Sequence, residues 1–182
     1  LLILPLTTMG YAAPGAVLGV GILVPLAFFD NWLADRIFDL TRYDPGLIFT
    51  GTAFAVILAY CVRFFSIAQQ TVDGALGRVS PSLPNAARSL GRNKLQVLWE
   101  IYRPLISAST ATALLLVFVD CVKELPATML LRPFNFETLA TRVHVQASLE
   151  DLPNAAPGAI LIVLIGLCAV FLLARVNKQI SH

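Results

Sequence analysis

Uncharged, mostly apolar residues run along this chain in four long blocks, with the charges gathered between them. No Asp, Glu, Lys or Arg occurs from Leu1 to Phe29, from Pro45 to Val62, from Pro104 to Val119 or from Leu152 to Ala174. Arg63 interrupts the second block, and apolar residues then continue to Ile67. A helix needs roughly 20 mostly apolar residues to cross a hydrocarbon core about 30 Å thick, because it rises about 1.5 Å per residue. The pattern therefore predicts an all-α membrane protein with about four transmembrane helices, at about 13–29, 46–67, 104–122 and 156–176. They form a single transmembrane domain. Pro25 should bend the first span, and Gly15, Gly19 and Gly21 should let another helix approach it closely.

Composition agrees. Of 182 residues, 57% are hydrophobic and 13% charged, and mean hydropathy is +0.77. Soluble domains carry about 25% charged residues, so a soluble enzyme is excluded. No basic stripe is interleaved with aromatics, which argues against a nucleic-acid partner. Cys61, Cys121 and Cys168 lie in or at apolar segments without a CxxC pair, and read as small apolar packers. His144 and His182 fall in a loop and a tail, where solvation is expected, so no metal site or cofactor is predicted. The chain begins at Leu1 with no basic n-region, which reads as a truncated N-terminus rather than a signal peptide.

The polar segments set an orientation. Residues 30–44 hold Asp30, Asp35, Asp39 and Asp44 against Arg36 and Arg42. Residues 69–103 hold Arg78, Arg88, Arg92, Lys94 and Arg103 against Asp73 and Glu100. Arg175 and Lys178 follow the fourth block. Lys and Arg accumulate in cytoplasmic loops. Residues 69–103 and both termini are thus expected in the cytoplasm, with 30–45 and 123–155 outside.

The 69–103 segment carries helix punctuation. Ser80-Pro81 offers an N-cap followed by Pro at the first helical position. Leu83, Ala86, Ala87 and Leu90 make one apolar stripe at helical spacing, and Gly91 stands where a helix ends in a left-handed residue. A second amphipathic run, Lys94 to Arg103, leads to Pro104. Two short helices joined at Gly91 are predicted on the cytoplasmic face. The first shows small residues and a basic rim of Arg88, Arg92 and Lys94, which suits a groove on a soluble partner; an interfacial helix lying on lipid is the alternative.

These residues carry a resemblance. Asn85-Ala86-Ala87, three residues, Gly91, nine residues, then Ile101-Tyr102-Arg103-Pro104 resembles the cytoplasmic signature of type I ABC importer permeases, which opens Glu-Ala-Ala and closes Ile-x-Leu-Pro. Asn85 replaces the Glu, removing one charge contact that the family makes with its ATPase, and Arg103 replaces the Leu. The stretch Lys123-Glu124-Leu125-Pro126-Ala127-Thr128, with Leu131-Arg132-Pro133-Phe134-Asn135-Phe136 and Thr138-Leu139-Ala140, is similar to the ferric-iron branch. So is Gly10-Tyr11-Ala12 with Pro14-Gly15. The resemblance covers essentially the whole chain. It implies the last four spans of a permease half of about six, with 69–103 as the coupling loop. Asn85, Ala86, Ala87, Gly91, Ile101 and Pro104 are its expected docking residues.

The implied partners are a cytoplasmic ABC ATPase dimer, a second permease half (fused or separate), a periplasmic or lipid-anchored substrate-binding protein, and the bilayer of a bacterial inner membrane. The implied function is ATP-driven import of ferric iron or an iron chelate. A polyamine or thiamine is the alternative cargo. The chain lacks a Gly-x-x-x-x-Gly-Lys-Ser/Thr loop, so ATP hydrolysis is expected on a separate subunit, with no catalytic residue here. An ion-gradient transporter would show intramembrane carboxylates in several spans and inverted repeats. Here the charged cluster is confined to one span.

That cluster is Asp120, Lys123 and Glu124, at i, i+3 and i+4, which share a face on a helix. Pro126 should end or kink the helix just beyond. Charged groups at membrane depth usually face the protein interior and pair, so Lys123 is expected among the carboxylates. A gate or lining of the translocation path fits, and so does a structural ion pair. Ferric iron is hard and prefers oxygen, but a path must release its ion, so no metal site is read here.

Overall fold

The computed structural model describes the backbone of residues 10–180 and side chains through Arg175; the apolar residues 1–9, the Lys178 side chain and His182 lie outside it. Among the described residues there is no strand. The helices are α1 (Gly15–Thr41), α2 (Ala53–Leu76), α3 (Ser82–Ser89) and α4 (Lys94–Val97), then a π-turn (Leu98–Tyr102), then α5 (Arg103–Lys123), α6 (Pro126–Leu131), α7 (Leu139–Ser148) and α8 (Leu152–Ile180). Four stretches are long and apolar enough to cross a membrane: Gly15–Thr41, Ala53–Leu76, Lys94–Lys123 and Leu152–Arg175. The number of candidate spans is the expected one, and the helices that carry them run beyond the apolar blocks.

The first difference is at residues 30–44, read from sequence as a polar loop. Helix α1 carries most of that stretch, and at 27 residues it is about 40 Å long, longer than the hydrocarbon core. Apolar side chains are needed only inside lipid, whereas the backbone ladder continues wherever nothing breaks it. It stops at Arg42, in the left-handed conformation (φ 58°), whose N–H still reaches the Phe38 carbonyl. Pro25 lies within α1 and does not end it. Likewise α2 runs on to Leu76, into the segment read as loop.

The third span starts before Pro104. Residues 94–123 form one continuous helix with a π-turn just ahead of the proline. Proline has no N–H for the carbonyl of residue i−4, and its ring crowds it. A local π adjustment is one way a membrane helix carries a proline.

Contacts divide the chain into two compact units. One comprises the residues up to Ser66 together with Asp120–Ile165. Its small core gathers Leu18, Ala55, Val56, Ala59 and Leu131, with Ile22, Leu23, Leu26 and Tyr60 against it. Helix α6 lies close to α1 because Gly15 and Gly19, one turn apart, leave room: a Cβ on Gly19 would sit 3.0 Å from Leu130 Cδ1. Gly21, also expected to let a helix approach, faces open space; six residues beyond Gly15 the helix has turned away. Residues 48–50 are tied back to α1 by Asp30, which is fully buried. Its carboxylate accepts the N–H groups of Ile48, Phe49 and Thr50, and Phe29, Phe49 and Phe54 stack beside it. The other unit comprises Ile67–Val119 and the chain from Gly166 on.

Candidate functional site

Two groups of residues carry the chemistry singled out by the sequence. The first is the segment 80–104. Helix α3 starts at Ser82, so Pro81 rather than Ser80 takes the N-cap position and no side chain caps the helix; Ser80 Oγ accepts the Ser82 N–H at 3.4 Å in a local turn. Its C-terminus is built as the sequence requires. The Gly91 N–H bonds the Arg88 carbonyl at 3.0 Å, and the Arg92 N–H bonds the Ala87 carbonyl at 3.1 Å. This is the Schellman pattern, which needs a left-handed residue between; Gly91 has φ +84°. The interval from Ala87 to Gly91 thus has a backbone cause. Asn93 then starts α4 with a capping box: its Oδ1 accepts from Gln96 N–H, and its own N–H donates to Gln96 Oε1, both at 2.9 Å.

On this segment exposed apolar side chains stand among exposed polar ones such as Ser82, Arg88 and Lys94. Leu83 is 47% and Leu90 84% exposed. Asn85 and Ala86 are exposed, Ala87 is half-buried, and Pro84 is the buried residue of α3. Leu90 meets no core of its own. Ile101 is half-buried within the π-turn, and Pro104 is exposed in the first turn of α5. Arg103 holds its guanidinium 4.8 Å above the Trp99 ring, a cation–π contact. Arg92 and Glu100 pair at 3.2 Å, both about half exposed, so the pair contributes little.

The second group is the charged cluster, and the structure divides it. Asp120 and Lys123 pair at 2.7 Å, with Lys123 61% exposed. Glu124 does not join them. Helix α5 ends at Lys123, so the i, i+4 spacing no longer sets the direction of Glu124. Its carboxylate, 7% exposed, turns instead to Arg63 of α2: Oε2 lies 3.0 Å from Arg63 Nε. That N–H is not aimed along the contact, so this is charge against charge more than an aligned hydrogen bond. The other oxygen, Oε1, accepts the Ala127 N–H at 3.3 Å, serving a donor at the start of α6 that no helical carbonyl can reach. The expectation that Lys123 sits buried among both carboxylates is therefore corrected. Arg63 is the partner that was missed, and its lone charge inside an apolar block was the available signal.

Arg63 ties in a third segment. Its Nη1 donates to the Ala13 carbonyl at 3.0 Å. Gly15 stands at the crossing; a Cβ there would come 2.7 Å from Glu124 Oε1 and 3.3 Å from Arg63 Nη1. Beside the pair, Tyr60 OH and Thr128 Oγ1 are 2.6 Å apart, and Thr128 Oγ1 donates to the Glu124 carbonyl at 3.0 Å. Tyr60 is therefore the donor to Thr128. Pro126 opens α6 at its first turn, so the break after Lys123 falls where the proline predicted it. Residues from 10–15 and from the Lys-Glu-Leu-Pro block, far apart in sequence, thus meet around one buried ion pair. Among the described residues no group of three or more His, Cys, Asp or Glu is placed to hold a metal ion.

With four candidate spans and no strand among its described residues, the chain is of the all-helical, multi-span membrane class. It matches, over residues 1–182, the family model of the binding-protein-dependent transport system inner membrane component, and it belongs to that family. It is 31% identical to the Fe(3+)-transport system permease protein FbpB 2 of Haemophilus influenzae, over 88% of this chain and 36% of that protein. It is 28% identical to the ferric transport system permease protein FbpB of Actinobacillus pleuropneumoniae, over 85% of this chain and 21% of that protein. It is also 29% identical to a protein provisionally named 2-aminoethylphosphonate transport system permease protein PhnV in Salmonella typhimurium, over 94% of this chain and 58% of that protein. The chain spans about a third of the length of the first of these relatives.

Proposed function

We propose that this chain forms part of the membrane pathway of an ATP-driven importer for ferric iron or a ferric chelate, and that residues 69–103 dock its cytoplasmic ATPase. The observation that carries the docking role is the exposed stripe of Leu83 and Ala86 on α3 with Leu90 at its C-cap, fixed in direction by the left-handed Gly91. An exposed apolar stripe on a short helix between two spans suits a groove on a partner. The ATPase dimer, a second permease half and a binding protein that delivers substrate complete the machine, with hydrolysis on the ATPase alone. The five basic residues of 69–103 favour a cytoplasmic position for it, and with it for both termini of this segment. Of the charged cluster, Glu124 with Arg63 serves as a structural pair, whereas Asp120 and the more exposed Lys123 stand as candidate lining of the path beside the Pro126 break.

The ferric cargo rests on relatives named for it. A second cargo, 2-aminoethylphosphonate, is favoured by the relative that covers more of this chain. Uptake of labelled ferric iron and of labelled 2-aminoethylphosphonate, in cells with and without the transporter, separates the two.

Docking is tested at Gly91. Nothing lies within 4 Å of a Cβ built there, so a substitution acts through the backbone alone. A β-branched residue at positive φ costs roughly 1 kcal/mol or more, and Asn less. Gly91→Val should insert normally yet lose ATPase co-purification and uptake, while Gly91→Asn should keep part of both. A Gly91→Val transporter that keeps the ATPase and its uptake refutes the docking role.

A further inference from the structure

Within the unit that holds α3 and α5, a pocket of about 370 Å³ opens between the end of α2 and the first turns of α5. Its polar lining residues are Arg78, Ser80 and Ser109, and its apolar lining includes Leu83, Leu105 and Ala108. Arg78 lines this pocket and is exposed, and its Nη2 donates to the Ser109 hydroxyl at 3.1 Å. Among the described residues it has no carboxylate partner. A guanidinium has five N–H donors in a planar fork, so most of its capacity is unspent. Arg92, by contrast, is paired with Glu100. Arg78 is thus an unneutralised cation just past the end of one span and beside the start of the next.

We propose that this pocket binds an anionic phospholipid from the surrounding leaflet. The headgroup phosphate is held by Arg78 and the Ser80 hydroxyl, and an acyl chain lies along Leu105 and Ala108. Two features commit the site to lipid. The charge is complementary to a phosphate, and arginine forks match phosphate oxygens. The apolar wall is continuous with a membrane-spanning helix, so a bound chain passes from the pocket into the bilayer. Basic pockets between spans on the cytoplasmic side take lipid headgroups in this way. The proposal rests on the reading that residues 69–103 face the cytoplasm, where anionic lipids and the ATPase meet. It would make docking of the ATPase sensitive to the lipid beneath it, because Leu83 of the docking helix is also in the pocket wall.

The test uses the whole transporter containing this chain, purified with its ATPase and placed in nanodiscs of phosphatidylcholine with a titrated fraction of phosphatidylglycerol. Retained phosphatidylglycerol is counted by native mass spectrometry. Arg78→Gln should raise the half-saturating phosphatidylglycerol fraction about fivefold, the effect of one basic side chain near a lipid surface. Leu105→Trp, which fills the apolar wall and leaves Arg78 in place, should also reduce retention. Millimolar inorganic phosphate should displace nothing. Equal saturation in a well-folded Arg78→Gln transporter overturns the proposal, and so does displacement by free phosphate, which would mark a soluble-anion site. A wild-type transporter that retains phosphatidylglycerol as expected but does not hold the ATPase refutes the docking role of 69–103 and leaves the lipid site standing.

Discussion

Removing the Glu124 carboxylate should be far more damaging than removing the Lys123 amine one residue away. In Glu124→Ala, Arg63 keeps its charge at a site where only 17% of its side chain meets solvent, and loses the carboxylate 3.0 Å away. Breaking a buried pair by removing one partner typically costs about 3–5 kcal/mol. The Ala127 N–H also loses its acceptor, which adds roughly 1 kcal/mol or more. Lys123, 61% exposed, belongs to the class of pairs worth about 0–1 kcal/mol. The double variant Arg63→Met with Glu124→Gln removes both charges together and keeps side chains of similar length. It should recover most of the loss, less the hydrogen bond from Arg63 Nη1 to the Ala13 carbonyl, about 1 kcal/mol. The assay is thermal unfolding of the purified transporter, with surviving folded protein followed by size exclusion after heating. Equal losses from Lys123→Ala and Glu124→Ala would show that the three charges form one cluster and that the division described above is wrong.

Further outcomes follow from the same geometry. Gly15→Val should destabilise sharply, because its Cβ alone would meet Glu124 Oε1 at 2.7 Å; Gly21→Val, in open space, should be close to neutral by the same heating assay. Asp30→Ala leaves the N–H groups of residues 48–50 without their acceptor and should cost several kcal/mol at about 1–3 each, read as faster proteolysis between α1 and α2. A reporter active only in the cytoplasm should work when fused after Arg92 and fail when fused after Asp44 or Leu149. Activity after Asp44 would overturn the proposed orientation.

The sequence revealed what lipid and local backbone geometry impose. The four apolar blocks stand out because a charge is costly in hydrocarbon, and Gly91 stands out because a Schellman end is decided within six residues. The span ends were hidden, since α1 needs no apolar side chains to reach Thr41 once it leaves the bilayer core. The cluster was only half legible. Asp120 and Lys123 pair at i, i+3 inside one helix, as spacing predicts. Glu124 sits one residue past the helix end, where spacing carries no information. Its partner Arg63 belongs to another span, and helical periodicity says nothing about which spans are neighbours. Asp30 was hidden for the same reason: its bonds reach 18–20 residues ahead.

The π-turn at Leu98–Tyr102 bears on how the segment tolerates changes in length. Such a turn holds one residue more than an α-turn over the same arc, so the helix before it and the helix after it keep a common phase. Losing one residue there would tighten the ladder and leave the directions of Lys94–Val97 and Arg103–Val119 nearly as they are, were Pro104 also relieved. Losing one residue within α5 itself, between Arg103 and Val119, would rotate everything beyond the deletion by about 100°, one residue's share of a 3.6-residue turn. An engineered deletion of one residue within 98–102 should therefore impair uptake less than a deletion of one residue between Arg103 and Val119.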